Sequence, residues 1–314
     1  MSLWTPQKSN YSNTHNMNNE KKFKSGFVNI IGNPNVGKST LMNALVGERL
    51  AIITAKAQTT RHRIMGIVGG EDFQIVYSDT PGILRPSYKL QESMMGFVRG
   101  ALKDADVILY VTDTVEKGDE ASEEIVEKIK LSAIPTIVVI NKIDLSNQAG
   151  LEELVEMWHQ RLPEARIIPV SALEGFNVSG VFDTIMTLLP EGMPYYEEGT
   201  LTDRPMRFFA SEIIREKIFL NYDKEIPYSV EIVIEEYREE PTIDRISAII
   251  YVARDSQKGI IIGRKGEMLK KVGTAARVEL EKFIGKKVFL QLHVKVDENW
   301  RNSSRELRKY GYME

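Results

Sequence analysis

Gly32-Asn33-Pro34-Asn35-Val36-Gly37-Lys38-Ser39 stands between an apolar run, Phe27-Val28-Asn29-Ile30-Ile31, and Thr40-Leu41-Met42-Asn43-Ala44-Leu45, which reads as a helix. A glycine-bearing turn between a strand and a helix lets consecutive backbone N–H groups converge on one anion at the positive end of the helix. Gly32 and Gly37 permit the tight turn and the close approach of backbone to phosphate. Lys38 is placed to reach the β- and γ-phosphates, and the Ser39 hydroxyl to complete the coordination of Mg²⁺. Asn33, Pro34, Asn35, Val36 and Thr40 complete the phosphate-facing stretch. The pattern predicts a nucleotide-phosphate site.

Outward from this loop, the chain alternates. Residues 63–68 and 73–78 read as two strands joined across Gly69-Gly70-Glu71-Asp72, a hairpin signal. Apolar strands follow over 107–111, 136–140 and 166–170, separated by helices over 89–103, 120–131 and 151–161, with a last helix over 178–188. Strands that are apolar throughout, interleaved with helices, predict an α/β domain: a mostly parallel six-stranded sheet with one antiparallel edge strand. Such sheets bind ligands at the carboxyl ends of their strands, and each further motif falls there.

Asp79-Thr80-Pro81-Gly82 ends the second hairpin strand. Asp79 is expected to hold Mg²⁺ through water, and the Gly82 N–H to reach the γ-phosphate. Thr60, in the irregular stretch between the first helix and the hairpin, is expected to close over the metal when the γ-phosphate is present. Asn141-Lys142-Ile143-Asp144 follows an apolar strand. The Asp144 carboxylate can accept from N1–H and the exocyclic amine of guanine. Adenine offers an acceptor at N1 and no amine at C2, which would leave that carboxylate unpaired. Asn141 is expected on the opposite edge of the base and the Lys142 stem over its plane. Ser171-Ala172-Leu173 would bring the Ala172 N–H to the guanine O6. Together these residues predict binding of GTP or GDP with Mg²⁺.

Residues 1–25 are polar and without periodicity, which predicts a disordered tail ahead of a GTP-binding domain over 26–190. Residues 191–204 carry Pro, Gly and acidic residues and read as a linker that lets two domains move. Residues 205–314 have another rhythm. A helix over 206–220 leads to alternating strands at 229–237 and 245–253, a glycine-rich turn at 259–266, a helix over 268–284, a strand at 288–296 and a basic helix near 303–310. That is a small α+β domain. Gly263-Arg264-Lys265-Gly266 matches the Gly-x-x-Gly loop with which KH domains clamp a nucleic-acid backbone. Arg264 and Lys265 add positive charge, Lys258, Lys270 and Lys271 extend it, and Ile260, Ile261 and Ile262 are candidates for an aliphatic floor under unstacked bases. The last stretch, with Trp300, Arg301, Arg305, Arg308 and Lys309, reads either as an RNA contact or as an amphipathic helix with a solvated basic face.

The chain has 314 residues, enough for two domains with separate cores. It has no cysteine, so neither a disulfide frame nor a thiolate metal site is available, and its four histidines have no ligand-like spacing. No apolar run reaches the length of a bilayer span and no secretory pattern opens the chain, so a cytoplasmic monomer is expected. Charge is uneven: residues 1–203 hold 19 Lys/Arg against 26 Asp/Glu, and residues 204–314 hold 22 against 18. A polyanionic partner is therefore expected at the C-terminal domain.

Asn-Pro-Asn-Val-Gly-Lys-Ser, Gln-Thr-Thr-Arg, Asp-Thr-Pro-Gly, Asn-Lys-Ile-Asp and Ser-Ala-Leu occur here in that order. They resemble the GTP-binding domain of translation-factor-like GTPases, and of the Era family in particular. The resemblance continues through a type II KH domain and covers residues 26–314. It implies a GTPase whose KH domain binds single-stranded RNA, the 3′ end of small-subunit ribosomal RNA, during assembly of the small ribosomal subunit. Some relatives contact membranes, which implies a weak peripheral contact at the inner face of the cell membrane. This chain carries neither a lipidation motif nor a strongly apolar amphipathic helix in its support. Asn35 matches an asparagine that helps bind K⁺ beside the phosphates in related GTPases, which with Lys38, Thr60 and Gly82 implies the catalytic set. Ile83 stands where Ras-like GTPases carry the glutamine that orients the attacking water, so slow intrinsic hydrolysis is expected.

Overall fold

The computed structural model describes residues 22–115 and 120–313. The first domain opens with β1 (Lys24–Ile31), the phosphate loop and α1 (Lys38–Val46). The hairpin β2 (Ile64–Gly69) and β3 (Phe73–Asp79) follows, then α2 (Lys89–Lys103) and β4 (Val107–Asp113). The domain closes with α3 (Glu120–Leu131), β5 (Thr136–Asn141), α4 (Gln148–Arg161), β6 (Arg166–Pro169) and α5 (Val178–Leu188). Sheet order is β2-β3-β1-β4-β5-β6, with only the β2–β3 pair antiparallel. The sheet is covered on both faces. One layer packs Leu41, Met42 and Leu45 of α1 with Val181 and Ile185 of α5, and the other packs Met95, Val98, Ile125, Ile129 and Trp158 of α2, α3 and α4. Burial on both faces is why β4 and β5 read as unbroken apolar runs.

The second domain comprises α6 (Met206–Asn221), the short α7 (Ile226–Ser229), β7 (Glu231–Glu239), β8 (Ile243–Val252), α8 (Asp255–Ile262), α9 (Glu267–Ile284) and β9 (Lys287–Val296). Its sheet runs β7-β8-β9, with β7–β8 antiparallel and β8–β9 parallel. The parallel pair needs a crossover, and α8 and α9 supply it. The turn expected over 259–266 is narrower than the sequence suggests. Residues 259–262 continue α8, because Ile261 at 0% exposure joins Val272 and Ala276 in the core and holds that turn helical.

Two expectations need correction. The domain begins before residue 26: Lys24 and Ser25 already pair with β3, and the rest of the expected tail, residues 1–21, lies outside the described residues. Residues 191–204 are not a slack linker. Tyr195 and Tyr196 N–H donate to Gln74 Oε1 at 2.7 and 3.0 Å, Leu201 C=O accepts from Ile67 N–H at 2.8 Å, and Thr202 Oγ1 donates to the Met65 carbonyl at 2.7 Å. This strap covers the free edge of β2, an edge that would otherwise expose unpaired backbone groups. The C-terminal stretch fits the second of its two readings, an amphipathic helix with Arg305, Arg308 and Lys309 exposed, and its apolar side is an interdomain anchor. Trp300 (0% exposed), Leu307 of α10 (Ser304–Lys309) and Tyr312 form a shared core with Leu90 and Met94 of α2. Arg301 lies 5.0 Å over the Tyr88 ring, and Lys309 donates to Glu306 at 3.0 Å.

Candidate nucleotide and nucleic-acid sites

A pocket of about 520 Å³ opens at the carboxyl ends of β1, β3 and β5, lined by the phosphate loop, residues 52–60, Gly82, the 141–145 turn, Ser171 and Leu173. Gly32 must be glycine because a Cβ there would lie 2.1 Å from the Val111 carbonyl oxygen. Gly37 has φ 94° and opens α1, directing its first N–H groups into the pocket. Lys38 is buried, its Nζ donating to the Gly32 and Asn33 carbonyls at 3.0 and 2.7 Å, so the ammonium sits inside the loop a phosphate would fill.

The three expected metal ligands converge. Ser39 Oγ donates to Asp79 Oδ2 at 2.6 Å and lies 2.9 Å from Thr60 Oγ1, which donates to the same Asp79 oxygen at 3.2 Å. Asp79 is fully buried, and its other oxygen, Oδ1, has no hydrogen-bond partner. Burial pushes its carboxyl pKa up, opposed by the nearby Lys38 ammonium. An orphaned buried carboxylate oxygen beside two hydroxyls suits a hard cation with oxygen ligands. The residues fit Mg²⁺.

Gly82 packs on the phosphate loop so closely that a Cβ would lie 2.7 Å from Pro34 Cα and N. The next N–H, of Ile83, donates to the Gly32 carbonyl at 3.1 Å, and the Ile83 side chain turns into the core at 1% exposure. It is aliphatic and faces away from the pocket, so no side chain at this position orients a water.

At the base end, Ser171 Oγ donates to Asp144 Oδ1 at 2.6 Å, which orients the carboxylate, and Asp144, Leu145, Ser171 and Leu173 line the pocket. Lys142, at φ 59°, lays its side chain back to Asn35 C=O and Asp113 Oδ2, both at 2.6 Å. Asn141 and Ala172 are bonded to one another. Asn141 Nδ2 donates to the Val36 carbonyl at 2.8 Å, and its Oδ1 accepts the Ala172 N–H at 2.9 Å. With the side chain 3% exposed, Asn141 staples three loops together, and one Nδ2 hydrogen remains beyond its bond to Val36 on a residue that lines the pocket. The Ala172 N–H, intended for guanine O6, is engaged in the same staple. The sequence reading missed the contribution of Ile52, Ile53, Thr54, Lys56 and Gln58 to the pocket wall. Their signals were an apolar pair, Ile52-Ile53, and Gln58 at the head of the Gln-Thr-Thr-Arg motif, within an otherwise irregular stretch.

In the second domain, the loop between α8 and α9 holds Gly263 at φ 71°, Lys265 at φ 50° and Gly266 at φ 80°. A Cβ at Gly263 would strike the Met268 side chain at 2.7 Å. Arg264, Lys265, Lys270 and Lys271 are exposed, Lys258 is half-buried, and Ile260 is 48% exposed beside a half-buried Ile262. The loop thus presents two cations and the N-terminus of α9 to solvent. Ile261 does not belong to this surface: it is buried in the core, and its carbonyl accepts from Tyr222 Oη at 2.6 Å.

Among the described residues, no helix is long and apolar enough to cross a membrane. Residues 27–142 match the family described as 50S ribosome-binding GTPase, and residues 225–301 match the KH domain. The chain is 46% identical over 292 residues to GTPase Era of Alkaliphilus metalliredigens, covering 92% of this chain and 99% of that protein. It is 44% identical to GTPase Era of Staphylococcus haemolyticus, covering 93% and 98%. Among solved structures it resembles Era in complex with MgGDPNP and nucleotides 1506–1542 of 16S ribosomal RNA, at TM-score 0.89 and 42% identity, covering 93% of this chain and all of that one. An Aquifex aeolicus Era variant bound to GDP·AlF4⁻ matches with the same figures, TM-score 0.89 and 42% identity over 93% of this chain and 100% of that one. A phosphate loop with the Ser39 and Thr60 hydroxyls beside Asp79, a carboxylate at Asp144 and a Gly-x-x-Gly loop in one chain agree with these likenesses: the chain belongs to the Era family of GTPases.

Proposed function

We propose that this chain is a GTP-hydrolysing switch that binds the 3′ end of small-subunit (16S) ribosomal RNA through its KH loop and acts in the cytoplasm in maturation of the 30S subunit. The observation that carries the reading is the convergence of Ser39, Thr60 and Asp79 on one point, in a chain that also carries the exposed Gly263–Gly266 clamp. A related Era structure holds both MgGDPNP and a 16S fragment, which supports the same pair of ligands here.

In this reading, the N–H groups of the phosphate loop cradle the β-phosphate and Lys38 turns from the Gly32 and Asn33 carbonyls toward the γ-phosphate. Ser39 and Thr60 hydroxyls and Asp79 would hold Mg²⁺, which when bound neutralises charge on the β- and γ-phosphate oxygens. The Gly82 N–H would meet the γ-phosphate, and Asp144, oriented by Ser171, selects guanine. Ile83 leaves the attacking water without a side-chain guide, so the switch turns over slowly alone.

The test is binding of a single-stranded RNA matching the 16S 3′ end, with GDP and with a non-hydrolysable GTP analogue, at fixed salt. Tighter binding with the analogue is expected, and no binding by the folded protein would overturn the ribosomal assignment. The buried Ile83 also favours a second reading, an RNA chaperone that binds nucleotide without turnover. Hydrolysis stimulated by ribosomal subunits separates the two.

A further inference from the structure

Residues 56–61 belong to the GTP-binding domain in sequence, yet both ends of the segment are held by the KH domain. At one end, Lys56 Nζ donates to the carbonyls of Phe219 and Tyr222 and to Asp223 Oδ1 (2.8 Å for the last). It thereby caps the C-terminus of α6, where a cation is favoured. At the other end, Arg61 is buried at 0% exposure. Its guanidinium donates to the Val230 and Pro227 carbonyls at 2.7 and 3.0 Å, lies 3.5 Å from Glu231, and is flanked by the Phe219 and Trp300 rings at 5.9 and 6.0 Å. Between these anchors stands Thr60, whose hydroxyl meets Ser39 and Asp79. Thr60 and Arg61 are adjacent, so the same short stretch that sends Arg61 into the KH domain carries the Thr60 hydroxyl at the Ser39–Asp79 pair.

We propose that Arg61 is a positioning residue for the GTP site, and that the KH domain, by gripping Arg61 and Lys56, supplies the back wall that holds the Thr60 hydroxyl where Mg²⁺ and the γ-phosphate need it. The inference rests on the GTPase reading above. Consecutive Cα atoms lie about 3.8 Å apart, so Thr60 cannot shift appreciably unless Arg61 slides within its pocket. A fully buried guanidinium seated on two carbonyls is costly to move, because its bonds would be lost with no water to replace them. Coupling between sites is reciprocal, so occupancy of the Thr60 position by Mg²⁺·GTP must act back on the KH domain with equal strength.

The experiment uses the full chain and its Arg61→Gln, Arg61→Lys and Lys56→Ala variants. Mg²⁺ is titrated while binding of a fluorescent non-hydrolysable GTP analogue is followed, and GDP affinity is measured separately in EDTA. Arg61→Gln is expected to raise the half-saturating Mg²⁺ concentration about tenfold, within the usual range of coupling between sites, with metal-free GDP affinity unchanged. Lys56→Ala is expected to shift it in the same direction by less, and Arg61→Lys, which keeps the charge but not the fork, to lie between wild type and Arg61→Gln. An unchanged Mg²⁺ requirement in Arg61→Gln and Lys56→Ala overturns the proposal. So does an equal loss of metal-free GDP affinity, which would mark a general loss of structure. Lys56→Ala, at a side chain 27% exposed, carries the titration if the Arg61 variants do not fold, and because Lys56 also lines the pocket its Mg²⁺ shift counts only where it exceeds its own change in metal-free GDP affinity. Failure of the wild type to hydrolyse GTP or to bind RNA would count against the proposed function and leave this titration readable.

Discussion

Ser171 donates its hydroxyl hydrogen to Asp144 at 2.6 Å, a bond that links two loops at the ends of neighbouring strands and leaves the second carboxylate oxygen to face the pocket. Asp144→Asn replaces an acceptor pair by one acceptor and one donor, and the donor opposes the guanine amine. GTP affinity is expected to fall by about 100-fold or more, while xanthosine triphosphate, with a carbonyl in place of that amine, gains. Competition binding of the two nucleotides checks it. Ser171→Ala should weaken GTP in the same direction by about tenfold or less.

Gly82→Ala tests the seat of the loop that follows β3 on the phosphate loop. The added methyl would lie 2.7 Å from backbone atoms of Pro34, which cannot yield as a side-chain tip can. Hydrolysis is expected to fall by about 100-fold, with GDP affinity within a few-fold of the parent, because the clash lies at the γ-phosphate side. Equal losses of both would contradict the assignment.

Asn35 is exposed at φ 65° on the rim of the same pocket. If its side chain helps hold a monovalent cation beside the phosphates, hydrolysis is faster in K⁺ than in Na⁺ buffer, and Asn35→Ala removes the difference. Equal rates in the two buffers for the parent would refute the role.

The KH loop predicts a different signature. Arg264→Glu with Lys265→Glu reverses two exposed charges at the clamp and should weaken RNA binding by about 100-fold or more. The slope of log K against log salt should lose about 1.4, two phosphate contacts on a single strand, while GTP affinity is unchanged. Titrations at three salt concentrations distinguish this from unfolding.

Glu231 carries the pH dependence of the domain interface. Burial raises its pKa from 4.5 to about 7, against the pull of Arg61, the Tyr312 hydroxyl and Arg215; Glu212 adds to the rise. Between those two values the folded chain holds a proton that the unfolded chain has lost, so this group makes stability fall as pH rises from 4.5 to about 7. His62, stacked on Tyr312 at 4.2 Å and held well below its ordinary pKa of 6.5 by burial, acts in the opposite sense and makes stability rise with pH up to that value. Glu231→Gln removes only the first contribution. Its stability relative to the parent should therefore improve from pH 5 to pH 8, by at most about 3 kcal/mol. Denaturant unfolding of both proteins across that range checks it, and parallel profiles would contradict it.

The sequence by itself determined the mostly parallel six-stranded sheet, because strands buried on both faces must be apolar throughout. It also made the phosphate loop legible, because such a loop is set by a few consecutive residues, as Gly32 to Ser39 are, whereas the pocket wall over residues 52–58 was not. The KH loop was legible for the same local reason, in Gly263 and Gly266. What residues far apart in the chain do to one another was decided by the tertiary structure alone. Asn141 carries a side chain fit to read a base, yet the Val36 carbonyl and Ala172 N–H engage both ends of its amide. The stretch over 191–204 has a linker's composition but lies bonded along β2, because an open sheet edge needs partners. Net charge would have the acidic first domain meet the basic second one through carboxylates on the first. The contacts run the other way, with Arg49, Lys56 and Arg61 of the first domain meeting Glu216, Asp223 and Glu231 of the second. Total charge sets the distant field, whereas an interface is decided by the few charges that desolvate together, and only the folded chain shows which those are.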